Sequence, residues 1–278
     1  MPYRTILAGL ICEDSPAPDA LVAYAVGLAA HQNAHLAFNL GVPRIPMPSA
    51  SFIPMVREVV DEANGQRWKA AEDLAASCRD RAALAGVASS SNVHFDSYHL
   101  VRAETVRQAR STDLVVLQRR DDTMSLENDL IQAVLFDSGR PLILVPPGWN
   151  RPFALDRVMV AWDGGSKAAR AVGDAAALLG MAEQVEVVSV AGDPDRSKHV
   201  SGLQIARHLA RSCQQLSSTE LPVQSNDVGA TLCGHATATR ADLLVMGGYG
   251  HSRLREMALG GVTHDMLAKA PLPVLLSY

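Results

Sequence analysis

Short apolar runs alternate with amphipathic stretches along the 278-residue chain. The runs read as buried strands, and apolar positions recurring every three or four residues read as helices packed against them. In the first half, Arg4–Leu10, His35–Val42, Val93–Leu100, Asp113–Leu117 and Pro141–Val145 carry strand character. Between them, Asp19 caps a helix reaching about His31, and a long amphipathic helix covers Arg57–Leu84. Shorter helices cover Glu104–Arg110 and Glu127–Phe136. The segment Pro43–Pro54 holds four prolines and reads as an irregular excursion.

Gly148–Leu155 reads as a linker, after which the pattern begins again. Strands are expected at Arg157–Trp162, Gln184–Val190, Glu220–Ser225, Asp242–Met246 and Pro273–Leu276. Helices are expected from a Ser166 cap to Leu179, over Lys198–Cys213, from an Asp227 cap to Thr239, and over Gly261–Lys269. Each half thus reads β-α-β-α-β-α-β-α-β, which implies a mostly parallel sheet covered on both faces. Local matches point to a duplication: Arg4–Ala8 resembles Arg157–Ala161, and Asp113–Leu117 resembles Asp242–Met246. The stretch between these markers is longer in the first half, in the proline-rich excursion and the second helix. The expected organisation is two fused domains, 1–148 and 155–278, forming an internal pseudo-dimer; one large sheet is the alternative.

Composition narrows the class. Hydrophobic residues make up 48% and aromatics 5%, which suits aliphatic cores between helices and sheets. The net charge of -4 argues against a broad nucleic-acid surface. Cys12, Cys78, Cys213 and Cys233 are scattered, without a close pair or zinc-ribbon spacing, as expected in a reducing compartment. No long uncharged apolar span and no signal peptide are visible, so a soluble, cytoplasmic protein without membrane partners is expected.

Candidate chemistry gathers in Asp242–Val262. After the apolar run come Gly247, Gly248 and Gly250, then Gly260 and Gly261 where a helix should open. Glycines leave backbone amides exposed, and amides beside a helix N-terminus bind anions, phosphate above all. Asp163, followed by Gly164-Gly165-Ser166, ends the first strand of this half at the same sheet edge. It can accept a ribose hydroxyl or help place a divalent cation; capping the next helix is its structural alternative. The pattern is neither a dinucleotide fingerprint nor a Walker A loop.

Asp242-Leu-Leu-Val-Met-Gly-Gly-Tyr-Gly250 followed by Gly260-Gly-Val262 resembles the nucleotide motif of the universal stress protein family. Lys269–Val274 and Val160–Ser166 resemble that family's closing and opening strands. The likeness is motif-level from about 155 onward, and tandem members of the family exist. It implies an α/β fold of two fused adenine-nucleotide-hydrolase-like three-layer sandwiches, each with a mostly parallel five-stranded sheet and often dimeric. Carried over, Asp163 lies near the ribose and any metal, while Val190 and Met246 flank adenine. The backbones of Gly247, Gly250, Gly260, Gly261 and Val262 cradle the phosphates. The implied ligand is ATP, with Mg2+ as an optional companion. Gly261 departs from the family, which usually supplies a hydroxyl there; Ser252 or Thr263 are candidate substitutes. Its loss removes a hydrogen bond of order 1 kcal/mol.

The first half departs further. Gln118–Met124 stands where the glycine loop stands and contains no glycine, and Ile11-Cys12-Glu13 replaces Asp163-Gly164-Gly165. This copy reads as degenerate, its excursion and Phe52 serving packing or a different ligand. A metal site from Cys12, Glu13, His31 and His35 is a weak alternative, as is a hydrolase triad of Ser252, His251 and Asp163. Cys233 and His235 lack further ligands nearby, and Arg253 and Arg255 read as surface charges. No catalytic residue and no resident metal site are expected. The expected function is an adenine-nucleotide-binding stress-response protein, regulatory or sensing, with slow ATP hydrolysis at most. It would act as the fused pair or a further homodimer, with an unidentified protein partner. A scaffold or small-molecule carrier using the first-half excursion is the alternative.

Overall fold

The structure, a computed structural model, describes residues 2–13, 19–47, 54–122, 124–191, 200–225, 227–248 and 262–278. Its strands are β1 (Thr5–Ile11), β2 (His35–Pro43), β3 (Ser89–Asp96), β4 (Leu114–Gln118), β5 (Leu142–Val145), β6 (Arg157–Ala161), β7 (Gln184–Ala191), β8 (Gln215–Pro222), β9 (Leu243–Gly247) and β10 (Val274–Ser277). Its helices are α1 (Asp19–Gln32), α2 (Pro54–Leu84), α3 (Tyr98–Ala109), α4 (Leu126–Asp137), α5 (Ser166–Asp174), α6 (Ala176–Leu179), α7 (Gly202–Leu209), α8 (Val228–Ala238) and α9 (Val262–Lys269). The chain divides into two compact units. One holds Tyr3–Gln118 and Met124–Arg140; the other holds Arg119–Thr123 and Pro141–Tyr278, with the first two residues.

In the first unit the strand order is β3-β2-β1-β4, all pairings parallel. Parallel strands are buried on both faces, and Ile6, Leu7, Ala8, Leu36, Phe38 and Leu40 are accordingly buried. The two sheet faces carry different helices. Asn39 donates from Nδ2 to Thr105 Oγ1 of α3 at 2.8 Å, and a Cβ at Gly41 would meet Val101 of the same helix. Phe95, of opposite parity, meets Trp68 of α2 edge-on, with ring centroids 6.0 Å apart. Helix α2 buries Ala71, Ala75, Cys78 and Ala82, a stripe of small side chains at helical spacing. Upstream, Asn64 Oδ1 accepts from Ile45 N at 2.9 Å and its Nδ2 donates to Ile45 O at 3.2 Å. The amide therefore completes the backbone of the chain leaving β2.

In the second unit the order is β5-β10-β9-β6-β7-β8. The β5–β10 pairing is antiparallel, and the β10–β9, β9–β6, β6–β7 and β7–β8 pairings are parallel. The five strands expected of each half are thus distributed as four and six, because β5 closes the edge of β10 that would otherwise stand unpaired. Helices again cover both faces. Glu186 of β7 reaches His235 of α8, while Ser189, on the other face, lies under Gly202 at the start of α7. A Cβ at Gly247 would meet the backbone of α5, which shares the α7 face by register.

Several boundaries differ from expectation for physical reasons. β3 begins at Ser89 and gives way to α3 at Tyr98, and β8 begins at Gln215, earlier than the Glu220 expected. Both are edge strands rich in Ser, Thr, Asn or Gln, so hydrophobic periodicity under-reports them. The helix expected over Ser166–Leu179 breaks at Ala175, and its N-cap is Gly165 rather than Ser166. α7 is shorter than expected; Ser201 caps it with a capping box to Gln204. Asp227 caps α8 through Ala230 N at 2.9 Å, as expected. α1 ends at Gln32, before Asn33 at φ 50°, which separates His31 from His35.

The two halves share one detail at their strand starts. Asp113 Oδ2 accepts from Thr5 N, and Asp242 Oδ2 accepts from Arg157 N, each at 2.9 Å. Asp113 N and Asp242 N in turn donate to the carbonyls of Thr5 and Arg157. Ile6 pairs with Leu114 as Val158 pairs with Leu243, so Thr5 rather than Arg4 is the counterpart of Arg157. Each carboxylate registers a central strand against its neighbour. Replacing Asp113 or Asp242 by alanine is expected to lower unfolding stability by about 1–3 kcal/mol, measured as a shift in the urea midpoint. The larger loss is expected for Asp242→Ala, because Asp242 is buried and also pairs with Arg151.

Candidate functional site at the β6–β9 switch point

Chain order and strand order reverse between β6 and β9. From β6 the chain runs outward through β7 to β8 under α5 and α7, then returns beneath α8 to β9. Right-handed crossovers force that change of face. The helices following β6 and β9 therefore leave in opposite directions and open a crevice at the strands' carboxyl ends, where α/β sheets bind ligands.

On the β6 side, Trp162 is buried and donates from Nε1 to Val200 O at 2.7 Å. Asp163 follows, exposed, with Oδ1 accepting from Gly165 N at 2.7 Å. Gly164 adopts φ 83°, in the left-handed region that a side chain disfavours. This Asx-type turn starts α5 and holds the carboxylate at the rim. The N-cap, Gly165, makes no side-chain capping bond, so Asp163 orders the turn rather than capping α5.

On the β9 side, a Cβ at Gly247 would lie 2.5 Å from Lys167 C and 2.6 Å from Ala168 N. Strand end and helix start are packed backbone to backbone, and only glycine fits. Gly248 N donates to Ser277 O at 2.8 Å, extending the β9–β10 ladder by one residue. Val190 and Met246 share the α8 face on the two strands flanking β6, Met246 buried and Val190 half-buried. Val262 opens α9, and Thr263 beside it is buried. Gly250, Gly260, Gly261, His251, Ser252, Arg253 and Arg255 lie outside the described residues. Of the expected set, Asp163, Val190, Met246 and Gly247 therefore stand at the carboxyl ends of three adjacent strands. The periodicity gave no sign of Lys167, Ser277 and Tyr278, which join this edge through β10 and the first turn of α5.

The first-half counterpart has other occupants. Arg119 N donates to Val145 O at 3.0 Å, as Gly248 N does to Ser277 O. The Arg119 side chain is buried and donates from Nη1 to Ala268 O and from Nη2 to Ala270 O at 3.4 Å. These carbonyls end α9, so the guanidinium satisfies a helix C-terminus. Asp121 lies 3.2 Å from Nη1. Burial nonetheless pulls the guanidinium below its ordinary pKa, against the opposing effect of Asp121. Of the proline-rich excursion, residues 48–53, with Phe52, lie outside the described residues.

The weaker metal candidates come apart. Among the described residues no three His, Cys, Asp or Glu side chains gather to hold a metal ion. His35 Nε2 lies 2.9 Å from Ser90 Oγ, His235 Nε2 lies 2.9 Å from Glu186 Oε2, and Cys233 Sγ lies 3.7 Å from Met266 Sδ. Burial pushes the Cys12 thiol up to about 12, helped by Cys78, and pushes Cys78 up to about 11. Among the described residues no helix is long and apolar enough to cross a membrane.

The architecture defines a doubly wound α/β protein whose strand order switches between β6 and β9 in its second unit. Residues 154–277 match the model of the Universal stress protein family. Among solved structures, a universal stress protein from Archaeoglobus fulgidus DSM 4304 is similar, with 15% identity, 97% of each chain covered and a TM-score of 0.70. A Pseudomonas aeruginosa UCBPP-PA14 protein assigned to the same family has 17% identity and a TM-score of 0.62, covering 99% of this chain and 93% of that one. A functionally unknown protein of Pseudomonas aeruginosa PAO1 has 16% identity and a TM-score of 0.58, covering 99% and 92%. At these identities the likeness is one of fold. No curated protein sequence matches the chain.

Gly247→Ala is expected to lower stability by about 1–3 kcal/mol, read as a fall in the thermal midpoint; an unchanged midpoint would mean that α5 yields. Cys12 and Cys78, protonated at pH 8 because their pKa values are raised, are expected to resist iodoacetamide in the native protein and to label after denaturation, read by mass spectrometry.

Proposed function

We propose that this chain is a tandem universal stress protein whose second half binds an adenine nucleotide and whose first half is a degenerate copy with a structural role. In this reading the repeated segments of sequence are 1–148 and 155–278, with β5 given over to the sheet of the second unit. The observation that carries the reading is the β6–β9 switch point, where Asp163 and Gly247 stand on adjacent strands and the backbone of Gly247 is closed against the first turn of α5. The family match over the same residues supports it.

In this reading Val190 and Met246 flank the base, and Asp163 lies beside the ribose. The backbones of Gly247, Gly250, Gly260, Gly261 and Val262 hold the phosphates of ATP. Mg2+ would arrive on the phosphates with most of its water, Asp163 adding at most one oxygen ligand. Asp163 is exposed and held in place by Gly165, which fits either duty. The first half supports only the structural role: Arg119, at the position of Gly248, is committed to the end of α9. The activity is regulatory or sensing, in a stress response, with slow hydrolysis at most.

Isothermal titration with ATP and Mg2+ tests this, run beside Gly250→Arg with its fold checked by circular dichroism. Saturable binding by the parent and its loss in the folded variant are expected. No binding by protein verified free of co-purified nucleotide would overturn the reading in favour of a scaffold or carrier.

A further inference from the structure

We propose that Lys167 reads the phosphate charge of the ligand and rests on the ring of Tyr278 until the ligand displaces it. The inference rests on the nucleotide reading of the same crevice and adds a residue to it. Lys167 is the second residue of α5, and its backbone is what a side chain at Gly247 would strike. Its side chain crosses the carboxyl edge of the sheet to Tyr278, the residue after β10. There Nζ lies 3.4 Å from the centre of the ring. Tyr278 leaves the strand beside the start of the glycine stretch, since Ser277 pairs with Gly247 and its carbonyl accepts from Gly248 N.

Three features make this a cation kept for a ligand. First, among the described residues no carboxylate pairs with Lys167. Among those residues its charge rests on the aromatic face of Tyr278, a weak contact where the ring is open to solvent. Tyr278 is 45% exposed, so the contact can exchange for another without disturbing the core. Second, the charge stands at the N-terminal turn of a helix, where the dipole already disfavours a cation. A phosphate placed there would be attracted by ammonium and helix end together. Third, Ser277 is buried with its hydroxyl lacking a partner among the described residues. Cross-strand pairing with Gly247 puts that side chain on the α5 face, beneath the same first turn. Buried polar atoms without partners occur where a ligand or an ordered water completes them.

Binding therefore exchanges the ring contact of Lys167 for a charge-assisted hydrogen bond to a phosphate oxygen. The site discriminates between ligands by phosphate number, and this offsets the missing hydroxyl at Gly261.

Calorimetric titration of the full chain with adenosine, AMP, ADP and ATP at matched ionic strength tests the proposal, using the parent, Lys167→Met, Lys167→Arg and Tyr278→Leu. Affinity of the parent is expected to rise with phosphate number. Lys167→Met should weaken ATP about tenfold, the weight of one charge-assisted hydrogen bond, and leave adenosine unchanged. Lys167→Arg should keep most of the ATP affinity. Tyr278→Leu should strengthen ATP about two- to fivefold by removing the competing contact. Equal losses for adenosine and ATP in folded Lys167→Met, or no loss for either, would overturn the role of Lys167 while leaving nucleotide binding intact. A parent that binds none of the four would overturn both.

Discussion

Parallel strands joined by right-handed crossovers cannot place all their helices on one face when the chain doubles back. The rest of this structure follows from that constraint. In the second unit β6 lies centrally, with β7 and β8 added on one side and β9 and β10 on the other. The helices of the outward run and of the return run cover opposite faces, so β6, β9 and β10 are buried while the edge strand β8 stays largely exposed. The consequence is a switch in strand order at the carboxyl ends of β6 and β9. Residues from segments distant in sequence are collected there.

Two backbone devices serve that switch point. Gly247 lets the end of β9 touch the first turn of α5, and Gly164 with the Asp163–Gly165 hydrogen bond turns the chain from β6 into the same helix. Both tie strand ends to the first turn of α5 without using bulky side chains. In the first half the corresponding positions hold Ile11, Cys12, Gln118 and Arg119, and Arg119 is occupied with the carbonyls that end α9. The strand end that is glycine backbone after β9 carries a side-chain clamp after β4.

Much of this was legible in the chain. The central strands are continuous apolar runs, because burial on both faces leaves no room for alternation, and their expected positions agree with β1, β4, β6 and β9 to within a residue or so. Asp227 and the end of α1 were legible for local reasons, a capping oxygen and a residue in the left-handed region. The edge strands β3 and β8 were misjudged because Ser89–Asn92 and Gln215–Thr219 carry polar side chains. Such strands exist by pairing with β2 and β7, an interaction absent from local sequence. The break at Ala175 and the division of β5 from its own half were invisible for the same reason.

The sequence by itself determined the alternation of strands and helices, the apolar interior and the glycine-bearing strand end at Gly247. These depend on periodicity and on the conformational range of single residues. Tertiary structure alone decided which strand ends meet. It brought Asp163 beside Gly247, set the Lys167 ammonium on the Tyr278 ring, and turned Arg119 onto α9. Those contacts join residues far apart in sequence, and they are fixed by crossover handedness and strand register rather than by any local preference.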